Sequence, residues 1–117
     1  MPVTIYHNPK CSKSRQTLEL LKDNGITPTI IEYLQTPPTE EKLKRILTQL
    51  DFAPRDLMRK KESVYAECEL DNPSLTNDDL ISFMVKHPIL IERPIVLAND
   101  KAAIGRPPEQ VLEILHS

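Results

Sequence analysis

Apolar and polar positions change rhythm several times along this chain, and each change predicts an element. Residues 3 to 7, "VTIYH", are a short β-branched and aromatic run closed by the turn residues Asn8 and Pro9, which predicts a strand. From about 11 to 24 the spacing becomes helical: Leu18 and Leu21, flanked by Thr17 and Leu20, share a face, and Asn24-Gly25 supplies a stop. Residues 28 to 34, "PTIIEYL", read as a second strand. Strand, helix and strand in such close succession form a βαβ unit, and the right-handed crossover rule makes the two strands parallel neighbours.

Pro37 and Pro38 interrupt the pattern, after which Thr39 caps a helix carrying Leu43, Ile46, Leu47 and Leu50 on one face. Helical signals continue to about residue 87: an apolar turn at Leu57 and Met58 after Pro54, and an N-cap arrangement of Thr76 and Asp79 ahead of Leu80, Phe83 and Met84. Residues 61 to 75 read only as short helical turns and loop. Beyond Pro88 the period returns to two, predicting strands at about 94 to 98 and 101 to 104 joined as a hairpin at Asn99-Asp100. Pro107 and Pro108 suit the first turn of a last helix bearing Val111, Leu112 and Leu115. The order βαβ, helical insertion at about 38 to 87, then ββα predicts an α/β sandwich built as one domain over residues 1 to 117.

Composition narrows what such a domain does. A net charge of −2 removes the general electrostatic case for nucleic acid. No stretch approaches the roughly 20 apolar residues of a membrane span, and no secretion signal opens the chain, so the expected compartment is the cytoplasm. Thiols are kept reduced there, which argues against a structural disulfide between Cys11 and Cys68. The two cysteines form no C-x-x-C pair, and with three scattered histidines they fall short of a metal site. With 2 glycines the chain lacks the glycine-rich phosphate loops of nucleotide-binding proteins.

Cys11 is the position where these constraints converge. It stands at the predicted start of the first helix, where unpaired backbone N–H groups and the helix dipole favour an anion, so its thiol pKa is expected to fall below the usual 8.5 or so. Lys10, Lys13 and Arg15 would push the same way, and Ser12 and Ser14 would donate to the sulfur or to an oxyanion beside it. A lone cysteine is ordinarily a small buried hydrophobe, but this polar and cationic flank is a poor setting for one. Cys68, in "YAECELD", keeps the ordinary reading. His7, four residues before Cys11, is a candidate for tuning its charge. A phosphatase-type C-x5-R loop is disfavoured, because Thr17 stands where its arginine belongs and Arg15 comes too early. Ser14 occupies the place of a second redox cysteine, so any redox cycle at Cys11 takes its resolving thiol from elsewhere.

Five stretches, "YHNPKCSKSR", "PTIIEYLQTPP", "DLMRKKE", "HPILIERPIV" and "IGRPPEQVLEIL", together resemble the glutaredoxin-coupled arsenate reductases, in the same order and over essentially the whole chain. The resemblance implies a thioredoxin-like (glutaredoxin-like) fold, a mixed four-stranded sheet flanked by helices with a helical insertion. It implies that Arg59, Arg93 and Arg106 gather round Cys11 and hold the arsenate oxygens, which an isolated reading of three charged residues does not. The implied cycle is attack of the Cys11 thiolate on arsenate, reduction by glutathione as co-substrate, and glutaredoxin reducing the Cys11–glutathione disulfide, with no metal and no bound cofactor. The fold also implies a cis peptide at Arg93-Pro94 facing the cysteine. Two alternatives stay open: a monothiol, glutathione-dependent oxidoreductase with no arsenic role, and a thioredoxin-like transcriptional regulator, which the C-x-x-S sequence disfavours.

Overall fold

In the computed structural model, which describes residues 2–115, the N-terminal β-branched run is the strand around which the sheet is built. Val3–Tyr6 (β1) pairs in parallel with Thr29–Ile31 (β2) and antiparallel with Ile95–Ala98 (β3), and β3 pairs antiparallel with Lys101–Ile104 (β4). The order β2-β1-β3-β4 is the mixed four-stranded sheet expected from the sequence. Ser12–Asp23 (α1) makes the crossover between the parallel pair. It stops at Gly25, whose φ of 76° is the left-handed conformation that glycine adopts without a Cβ penalty.

Alternation along the strands decides the core. Val3 and Ile5 lie opposite Ala98 and Val96, so the four side chains share one face of the sheet. Leu21 of α1 and Val111, Ile114 and Leu115 near the C-terminal end close over that face. The β3–β4 turn is the two-residue hairpin expected at Asn99-Asp100, with φ of 53° and 59°, the pair of positive values that a type I′ turn requires.

Two elements depart from expectation. The second strand is limited to Thr29–Ile31, because the chain turns at Glu32, whose carbonyl takes the amides of Gln35 and Thr36. The last helix is 3₁₀ rather than α, over Pro108–Ile114. Its bonds run from Gln110 N–H to Pro107 O and from Leu115 N–H to Leu112 O. A three-residue repeat stacks Val111 and Ile114 on one buried side and leaves Leu112 only partly covered, while Leu115, at the C-cap, is buried as expected.

The chain divides into two compact units, one formed by residues up to Thr36 and from Arg93 onward, the other by Pro37–Glu92. The second is helical: Glu40–Leu50 (α2), Pro54–Leu57 (α3), Ser63–Glu67 (α4) and Asn77–Lys86 (α5), followed by a 3₁₀ turn at Pro88–Leu90. The apolar stripe of α2 (Leu43, Ile46, Leu47) and that of α5 (Leu80, Ile81, Met84) are buried, and the two helices pack on each other. Arg55 ties α3 to the following loop through the carbonyls of Leu70 (3.2 Å) and Asn72 (2.7 Å). Among the described residues no helix is long and apolar enough to cross a membrane.

Both expected caps form. Thr39 Oγ1 accepts from Lys42 N–H, and at α5 the Thr76 hydroxyl takes the Asp79 amide (3.1 Å) while the Asp79 carboxylate takes the Thr76 amide (3.0 Å). Thr76→Ala removes one half of that reciprocal pair, so we expect a loss of about 1 kcal/mol. Thr76→Ser, which keeps the hydroxyl, should recover most of it in urea unfolding.

Candidate functional site

The end of β1 delivers the chain into a turn at Asn8-Pro9, where the Cys11 amide bonds Asn8 O (3.0 Å) and the Asn8 side chain accepts from Lys10 N–H (3.0 Å). This places Cys11 at the N-cap of α1 with extended backbone (φ −94°, ψ 124°), as the sequence predicts. The half-buried thiol pKa is lowered. Burial is the largest influence and acts to raise it; the Ser14 amide, the Arg93 guanidinium through hydrogen bond and charge, and the Lys13 amide outweigh burial. Sγ makes no short capping bond to the first turn, so the amides act on it as the positive end of the helix.

Arg106 approaches from the other side. Its Nη2 donates to Cys11 Sγ at 3.6 Å and its Nε donates to Arg93 O at 2.8 Å, so one guanidinium is anchored on the backbone of the other arginine while facing the sulfur. Arg93 precedes Pro94 through a cis peptide, as expected, and Arg106 precedes Pro107, expected only as an element boundary, through a second cis peptide. Gly105 lies between them, its amide on Pro94 O at 3.0 Å. A Cβ here would collide with the Thr17 hydroxyl and lie 2.8 Å from Pro94 Cγ, so this close approach requires glycine.

Several expectations about the flank are corrected. The fully buried Ser14 hydroxyl bonds His7 Nδ1 (2.6 Å) and the Asn8 amide (3.0 Å); what Ser14 offers the sulfur is its backbone N–H. Lys13 likewise acts through its amide. Arg15 is exposed, gives Nη1 to Pro9 O at 2.8 Å, and bears on His7 instead of on Cys11. The cation that shifts Cys11 is Arg93, brought from the start of β3. His7 is buried and its pKa is lowered, chiefly by burial, which keeps the imidazole neutral against Ser14.

Arg59 belongs to the second unit, just past α3. Its Nε donates to Glu62 (3.1 Å) and its Nη1 to Glu92 (2.7 Å); burial opposes its charge and the two carboxylates more than restore it. Sequence reasoning missed both glutamates, since nothing in their local sequence marks them. Cys68 is half-buried at the C-terminal end of α4, and both cysteines are free thiols. Among the described residues no group of three or more His, Cys, Asp or Glu side chains is arranged to hold a metal ion.

A model of the ArsC family matches residues 6–114 of this chain. The uncharacterized protein YfgD of Escherichia coli is 55% identical over 97% of this chain and 96% of its own length. A Neisseria meningitidis protein named arsenate reductase is 50% identical over 97% of each chain. Among solved structures, an arsenate reductase from Vibrio cholerae superposes with a TM-score of 0.96 at 56% identity, covering 98% of both chains.

Two outcomes check this geometry. Because the native thiol pKa is depressed, the thiolate persists below the pH at which a free thiol protonates, so iodoacetamide should modify Cys11 with an inflection at lower pH than for a free thiol. Arg93→Ala should move that inflection upward. Gly105→Ala should cost about 1–3 kcal/mol through overpacking against Thr17 and Pro94, read as a lowered urea midpoint.

Proposed function

The chain belongs to the ArsC family, and from that premise we propose that it reduces arsenate to arsenite through the Cys11 thiolate, with glutathione and glutaredoxin as reductants. The observation that carries the reading is the convergence of two guanidinium groups, Arg93 and Arg106, on one thiol of lowered pKa. A nucleophile within a cationic cradle suits attack on a tetrahedral oxyanion, and the planar, permanently charged fork of arginine matches two oxygens at once. Arg59 is the third oxyanion-binding cation in this proposal. His7, Ser14 and Pro94 serve as supporting residues around Cys11.

The cycle balances with thiols alone. Cys11 Sγ attacks arsenic, a sulfur–arsenic bond forms, and an arsenate oxygen leaves as water after protonation. Glutathione thiolate then attacks Cys11 Sγ; the new bond is the Cys11–glutathione disulfide, and the electron pair of the broken sulfur–arsenic bond departs on arsenic, now trivalent. A glutaredoxin thiolate attacks the glutathione sulfur and releases Cys11 as thiolate. No bound cofactor is needed for these electron transfers, and a compartment with reduced thiols, the cytoplasm, is the proposed setting.

Arsenite release from arsenate, glutathione and glutaredoxin tests the reading. Cys11→Ser should abolish turnover, and Arg106→Ala should lower kcat/KM by on the order of 10²-fold, the loss typical of one oxyanion donor. A protein that exchanges glutathione at Cys11 yet forms no arsenite would instead be a thiol oxidoreductase without an arsenic role.

A further inference from the structure

Arg59 carries five N–H donors arranged as two forks: Nε–H with one Nη2–H, and Nη1–H with the other Nη2–H. Nε has a single N–H and Glu62 takes it at 3.1 Å, so that fork is half occupied, while Glu92 holds Nη1 at 2.7 Å. A two-point grip on the Nε fork therefore displaces Glu62. Charge points the same way: one guanidinium between two carboxylates has a net charge of about −1 before any dianion arrives.

The two glutamates are not held alike. Glu92 follows Ile91, which bridges Met58, and the ladder extends on both sides of that bridge through Arg59 N–H to Leu90 O (2.7 Å) and Glu92 N–H to Leu57 O (2.8 Å). The backbones bearing Arg59 and Glu92 are thus bonded to each other, and the shorter ion pair sits on that frame. Glu62 is three residues from Arg59, makes the longer contact, and is the N-cap of the five-residue α4.

We propose that Glu62 is a specificity-determining residue: its carboxylate holds the Nε fork of Arg59 in the substrate-free protein and yields it to the substrate, while Glu92 stays on Nη1 and keeps the guanidinium in place. This rests on the reading that Arg59 receives the substrate oxyanion. A tethered carboxylate is an internal competitor that a free monocarboxylate displaces poorly. A tetrahedral dianion, with two oxygens for one fork and greater charge, displaces it. The device selects arsenate-like dianions over ordinary carboxylate metabolites.

The test is steady-state arsenate reduction with glutathione and glutaredoxin, together with inhibition by acetate, for the unaltered protein and four variants. Glu62→Gln should lower the arsenate KM about threefold, the effect of losing a partly exposed ion pair worth a fraction of a kcal/mol to 1 kcal/mol, with kcat retained and acetate inhibition strengthened. Glu92→Gln should raise KM. Glu67→Gln, which alters an exposed carboxylate of α4, should leave KM and acetate inhibition unchanged. Glu62→Ala, with urea midpoints for every variant, separates the effect from misfolding and should shift KM in the same direction as Glu62→Gln. An unchanged or raised KM in Glu62→Gln overturns the inference, as does an equal fall in Glu67→Gln, which would mark a general charge effect. No arsenite from the unaltered protein overturns the functional reading itself, and the inference with it.

Discussion

The first unit is organised around one electrostatic demand, a half-buried thiol at the N-cap of α1 whose ionisation is favoured. Burial alone would raise its pKa, and three separate sources of positive potential reverse the balance: the Ser14 and Lys13 amides, and Arg93. Arg106 adds a fourth contact at 3.6 Å. The helix contribution follows locally from the chain leaving β1 through a tight turn. The arginines come from 82 and 95 positions further along the chain, and only the sheet brings them back.

Their placement hangs on one register. Ile95 opposes Ile104 at the open end of the β3–β4 hairpin, so Pro94 and Gly105 form the next step, joined by the Gly105 amide, and Arg93 and Arg106 the step after, joined by Arg106 Nε. A slip of one residue would exchange the faces of the ladder and carry both guanidinium groups off the sulfur. The I′ turn at Asn99-Asp100 fixes the register from one end. At the other, the absent Cβ of Gly105 lets Thr17 of α1 and Pro94 close in. Turn chemistry far from the thiol thereby determines what surrounds it.

This explains which features were legible in the sequence. The N-cap cysteine, the caps at Thr39 and Thr76, the hairpin and the βαβ unit are written in neighbouring residues, and the local rules found them. The family resemblance, not spacing, singled out Arg59, Arg93 and Arg106 and the cis peptide before Pro94. What remained hidden depends on tertiary contact: Arg93 rather than the nearby Arg15 as the cation acting on sulfur, the three-residue repeat that buries Ile114, and the glutamates on Arg59. Glu92 is adjacent to Arg93 in sequence, yet nothing in "IERP" says that its carboxylate turns to a residue 33 positions earlier.

Ser14 illustrates how structure sharpens a sequence argument without replacing it. The C-x-x-S pattern alone says that a resolving thiol is missing. The structure shows what the serine does instead: fully buried, its hydroxyl meets the His7 imidazole and the Asn8 amide within the turn that positions Cys11. A thiol in that place would be a weaker hydrogen-bonding partner for the buried amide and for the imidazole, and its larger sulfur would have to fit a site with no exposed surface. The turn therefore opposes conversion to a dithiol center by a single substitution. In the proposed cycle, dependence on glutathione and glutaredoxin is thus tied to the same hydrogen bonds that aim the nucleophile.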